Sequence, residues 1–177
     1  MNLDQLEHVL RAASTIVDET DVLVIGSQAV LGSIPDDQLP LEATTSIEAD
    51  LAFFDDPDDE KADRVDGAIG ELSTFHATYG YYAQGVSVST ATLPAGWRDR
   101  LVALATPNTA PARGLCLEPH DCVVSKLVAS RPKDVDFAAA LLREKLVDAD
   151  ILVERIGDLP SPIAVKRQLL TWVDRHR

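Results

Sequence analysis

Apolar residues recur three and four positions apart from the start of the chain. Leu3, Leu6, Val9, Leu10, Ala13, Ile16 and Val17 trace one stripe, which predicts an amphipathic helix over residues 3–18. The period then changes. "DVLVIG" (21–26) is a short β-branched run closed by glycine, as a strand buried on both faces would be. "SQAVLGSI" reads as a brief helix, and the polar stretch after it, to about Ser46, is long for a connection, which marks it as a functional segment. "SIEADLAFF" predicts a second strand. "DDPDDE" (55–60) is a turn that gives way to a helix near 58–73, "YYAQGVSVST" (81–90) alternates as a third strand, and "RLVALAT" (100–106) as a fourth. "PHDCVVSKLVAS" and "PKDVDFAAALLREKLV" predict helices, each opened by a proline where a missing N–H does no harm, and two more follow at about 148–157 and 161–175. Strands early and helices late imply an α/β or α+β fold. Residues 1–112 are expected to form a core sheet domain and residues 113–177 a helical C-terminal section packed on it as one unit.

The second strand breaks its own pattern. Glu48 and Asp50 stand inside an apolar run, and since alternate strand residues share a side, they project together about 6.6 Å apart while Ile47, Ala49 and Leu51 face the core. Two carboxylates that close repel, so either water reaches both or a cation sits between them. Mg²⁺ takes one or two carboxylates and completes its shell with phosphate oxygens, which gives the pair a chemical use. A strand with one wet face produces the same spelling by ordinary alternation. Gly26-Ser27 adds context: it turns a strand into a helix, whose first N–H groups have no partners within the helix and suit an anion.

Strand, Gly-Ser, helix, loop, then acid-x-acid on the next strand resembles the polymerase-β-like nucleotidyltransferase superfamily, on Ile25-Gly26-Ser27 and Glu48-Ala49-Asp50-Leu51. "LCLEPHDCVVSKLVASRPKDVDFAAALL" (115–142) is similar to the later motifs of its AbiEii/MenT-like branch, nucleotidyltransferase toxins of bacterial toxin–antitoxin pairs: Lys126 matches a helix lysine, and Arg131, Lys133 and Asp134 an R-x-K-D element. The resemblance implies a mixed sheet with flanking helices. It implies Mg²⁺ held by Glu48 and Asp50, NTP phosphates met by Gly26, Ser27, Ser46, Lys126 and Arg131, and Asp134 near the metal or orienting Lys126. The tRNA 3′ end would be the acceptor. A cognate antitoxin protein would be the partner, with Ser46 a place for inhibitory phosphorylation. Many members supply a third carboxylate from a later strand; "YYAQGVSVSTAT" offers only hydroxyls and Gln84, so Asp134, water or a substrate oxygen would have to substitute, or the enzyme has lost activity.

Charge narrows the partners. The chain has net charge −13, which argues against coating nucleic acid through a broad basic face. The first 112 residues hold 19 acids against five Lys/Arg, whereas the remaining 65 hold 10 against 11. A phosphate-rich partner is therefore expected at the C-terminal third, with Lys166, Arg167, Arg175 and Arg177 as the RNA surface. A nucleotide-binding module without activity, or an enzyme acting on a small-molecule or protein hydroxyl, fits the same residues. Cys116 and Cys122 read as small core residues, and His8, His76, His120 and His176 lack metal spacing. Trp97 reads as packing in a loop corner, with stacking on a base as the alternative. With no signal-peptide or bilayer-length apolar run, a cytoplasmic protein away from membranes is expected.

Overall fold

A computed structural model describes residues 1–177. Helix α1 (Leu3–Val17) buries the predicted stripe. Asn2 caps it reciprocally: its side chain accepts from the Gln5 N–H while that of Gln5 accepts from the Asn2 N–H, satisfying two donors that the helix leaves free. Five strands follow: β1 (Asp21–Val24), β2 (Glu48–Ala52), β3 (Tyr82–Gly85), β4 (Val102–Leu104) and β5 (Arg113–Cys116). They form one mixed sheet in the order β3-β2-β1-β5-β4, with β1–β5 and β2–β3 parallel and β1–β2 and β4–β5 antiparallel. Val22, Leu23 and Val24 of the central strand are fully buried, as an unbroken apolar run requires.

Alternation and register fix which side chains share a face. Ala49 and Leu51 lie on the face covered by α1 and α3 (Glu60–Ile69), where Gly114 of β5 leaves room for Leu10 of α1 at 2.8 Å from its missing Cβ. Glu48 and Asp50 point to the opposite face, together with Tyr82 and Gln84 of β3. The connection between β3 and β4 runs from one edge of the sheet to the other, and on the acid-bearing side Trp97 stacks on Phe54 at 6.1 Å.

Helices α5 (Pro119–Ala129), α6 (Pro132–Arg143), α7 (Ala149–Gly157) and α8 (Ile163–His176) complete the chain. One buried cluster runs from Leu6, Leu23 and Leu51 to Leu141, Leu152 and Ile156, so sheet and late helices share a core. Asp121 of α5, fully buried, binds Arg100 by two hydrogen bonds of 2.8 and 3.0 Å and meets Arg155 of α7 at 3.2 Å. It thereby ties the β3–β4 connection and α7 to α5. No helix is long and apolar enough to cross a membrane.

Several elements differ from the pattern reading. The brief helix after β1 is a 3-10 turn, Ser27–Gly32. The expected third strand stops at Gly85, because Ser87 and Thr90 turn their hydroxyls onto local backbone: Ser87 accepts from the Ser89 N–H and Thr90 donates to the Ser87 carbonyl. Short helices α2 (Leu41–Thr44) and α4 (Thr74–Tyr79) were not foreseen, nor was β5, which places residues 113–116 inside the sheet ahead of the helices.

Candidate active site

The glycine at the end of β1 and the second acid of β2 form a single fitting. A Cβ on Gly26 would stand 2.0 Å from Asp50 Oδ2, so only a residue without a side chain lets that carboxylate lie against the turn. The Ile25 N–H donates to the Asp50 carbonyl at 3.1 Å, locking the two segments together. Burial, followed by a hydrogen bond with Glu48 and its negative charge, pushes the Asp50 carboxyl up to about 6 against the opposing pull of Lys126 and Lys133. Glu48 is held separately. Tyr82, its register partner on β3, donates its hydroxyl to Glu48 Oε2 at 2.9 Å, and burial and that bond raise the phenol above its ordinary range.

The cations come from the corner between α5 and α6. Only Ser130 and Arg131 separate the two helices, and Ser130 takes a left-handed backbone (φ 57°) to make the turn. That brings Lys126 and Asp134 side by side at 3.4 Å, with side chains 12% and 2% exposed. Arg131 closes on the same carboxylate at 2.6 Å. Burial alone would raise the Asp134 carboxyl, but Arg131 and Lys126 together hold it below its usual range. Asp134 is thus an anionic post for two cations. Arg131 gives Nε and Nη2 to Asp134, while the longer Lys126 contact leaves its ammonium facing the cleft.

A cleft of about 750 Å³ joins these groups: Ser27, Ser46, Glu48, Asp50, Lys126 and Asp134 all line it, with Arg131 and Lys133 at the α6 end. Gly26 contributes room for Asp50. The helix after it is a six-residue 3-10 turn, and at its start the Ser27 hydroxyl lines the cleft and accepts from Gln28 Nε2 at 3.3 Å. The Ser46 hydroxyl exchanges 3.2 Å hydrogen bonds with the Glu48 backbone, setting the start of β2. Pattern reading missed Tyr82 as the group that holds Glu48. Gln84, opposite Asp50 in register and exposed to the cleft, takes the place on β3 where a third acid was sought. Both follow from pairing β3 with β2, which one sequence does not reveal.

Other candidates are used elsewhere. Trp97 packs on Phe54 with the Arg98 guanidinium over both rings at 5.3 and 5.4 Å. His120 bridges Glu118 and the Asp148 N–H, and His8 bonds the Tyr81 hydroxyl at 2.8 Å. Both cysteines are free and buried, their thiols pushed up to about 12 chiefly by burial. In the "DDPDDE" turn, Asp56 accepts from the Lys61 and Ala62 N–H groups and so caps α3.

No group of three or more His, Cys, Asp or Glu side chains is arranged around one point. Two carboxylates on one strand face, one seated against a glycine, with a lysine across the cleft, nevertheless suit an ion that takes its remaining oxygens from phosphate. No curated protein and no solved structure matches the chain significantly. A family model does, over residues 1–169, and by it the chain belongs to DUF6036, described as a nucleotidyltransferase of unknown function.

Proposed function

We propose that the protein is a Mg²⁺-dependent enzyme that transfers a nucleotide from an NTP to an acceptor hydroxyl, in the manner of the AbiEii/MenT-like toxins that its motifs resemble. The observation that carries this reading is the Glu48–Asp50 pair facing Lys126 across one cleft. Glu48 and Asp50 would hold Mg²⁺, which when bound offsets the phosphate charge that builds up during transfer. Lys126 takes triphosphate oxygens as a point cation with three donors. Asp134 keeps Lys126 aimed at the cleft, and Tyr82 fixes the Glu48 rotamer. The acceptor oxygen bonds to the α-phosphorus as the bond to the bridging oxygen breaks; pyrophosphate leaves with that electron pair and the hydroxyl proton passes to solvent. Gln84, neutral and opposite Asp50 in register, would hold the acceptor hydroxyl.

For the acceptor, the resemblance and the basic balance of the C-terminal third favour the 3′ end of tRNA, with aminoacylation and hence translation blocked, and an antitoxin as the partner that restrains it. The chain's net charge of −13 favours a second reading, in which a small-molecule or protein hydroxyl is modified. Incubating the protein with each α-labelled NTP, Mg²⁺ and total RNA separates the two. Label on tRNA that disappears with Glu48→Gln and with Lys126→Ala supports the first, and label on another acceptor the second. Absence of both transfer and NTP binding would sink the enzymatic reading.

A further inference from the structure

The α5–α6 corner has a reverse side. Leu127, Ser130 and Val135, each one residue from Lys126, Arg131 and Asp134, line a second cavity of about 510 Å³ whose far wall is α8. Because neighbouring helix residues point about 100° apart, it opens around the corner from the cleft. Its floor is apolar, from Leu127, Val135 and Leu169, and its α8 wall carries Arg167, Trp172 and Arg175.

The structure divides the four late cations named from the sequence. Lys166 donates to the Gly157 carbonyl at 2.6 Å and Arg177 pairs with Asp150 at 2.6 Å, so both serve the fold. Arg167 and Arg175 form no ion pair, and no acid lines the groove in a chain with 29 of them. They lie eight residues apart, about 12 Å along the axis, the reach of a short run of nucleotides. Trp172 lies between them along the chain; His176 covers one face of its ring at 4.1 Å, and the ring lines the groove beside the two arginines. Cation, aromatic, cation along one helix matches phosphate, base, phosphate along a strand. An apolar floor beside an indole suits the face of an unstacked base, which a stiff duplex does not present.

We infer that this groove binds a single-stranded segment of a polynucleotide, phosphates on Arg167 and Arg175 and a base against Trp172, and leads its end around the corner into the cleft. The inference rests on the proposed transfer to an acceptor hydroxyl and names that acceptor as a nucleic acid strand. A peptide of acidic residues alone would meet the arginines without an aromatic ring to set against Trp172, so dependence on Trp172 separates the two.

The test is fluorescence anisotropy with a labelled single-stranded RNA dodecamer between 50 and 200 mM salt, alongside Mg²⁺-NTP binding by calorimetry. The wild type should bind the RNA more weakly as salt rises. Arg167→Glu/Arg175→Glu should weaken it at least tenfold and lower the salt slope by about two, Trp172→Ala should weaken it at least fivefold, and neither should alter NTP binding. The same charge change at Arg98 and Lys145 should have little effect. RNA affinity unmoved by the groove variants, lost equally with the control reversal, or matched by a polyglutamate peptide of equal charge would overturn the groove. RNA binding that depends on Arg167 and Arg175 without NTP binding in the cleft would instead retain the groove and remove the transferase reading.

Discussion

Asp50 lies against Gly26 and beside Glu48, so it is the costliest charge in the site when no cation is present. A carboxyl whose folded pKa is raised weakens the fold where it is ionised. That penalty is full above about 6 and fades as pH falls toward the unfolded value near 4. Asp50→Asn should therefore abolish transfer yet raise the melting temperature of the metal-free protein by a few degrees at pH 7.5, with the gain shrinking by pH 4; thermal melts in EDTA read both. Gly26→Ala should do the reverse, losing about 1–3 kcal/mol through the clash, and combining it with Asp50→Ala should recover most of that loss in urea titrations. Glu48 and Asp50 were legible because a period of two needs no partner strand to be seen. Tyr82 and Gln84 were not, since their meaning depends on the register that sets 82 against 48 and 84 against 50.

Among elements, α5 organises the centre. From one helix, Asp121 holds the β3–β4 connection and α7 through Arg100 and Arg155, while Lys126 faces the cleft. Asp121→Ala would leave two partly buried guanidiniums without an anion, at a cost of about 3–5 kcal/mol measurable by denaturant unfolding. Asp134→Asn acts more narrowly: with Lys126 and Arg131 freed from a fixed post, the Kd for Mg²⁺-NTP should rise about tenfold in calorimetry while the far-UV spectrum stays unchanged. The proline-started helices were plain in the sequence because their capping chemistry is local. β5 escaped notice because "RGLC" is four residues long, carries a charge at one end and a glycine beside it, and becomes a strand only through neighbours on both sides.

At the scale of the molecule, the sheet and the late helices share one core, although charge splits them into an acidic stretch and a balanced one. A chain ending at residue 112 would give β1 no β5 partner and expose Leu10 of α1, so it should show no cooperative melt by circular dichroism. The overall mixed architecture could be read from patterning, whereas the strand order could not, because the β3-β2-β1-β5-β4 arrangement joins segments far apart in the chain. That order also has a temporal side. As the protein emerges during synthesis, its acidic pair is present long before the strand that completes the sheet, and the lysine opposite comes later still. On the proposed function, a half-finished copy leaving the ribosome lacks the lysine that meets the triphosphate, so transfer would begin only once α5 has been made and packed.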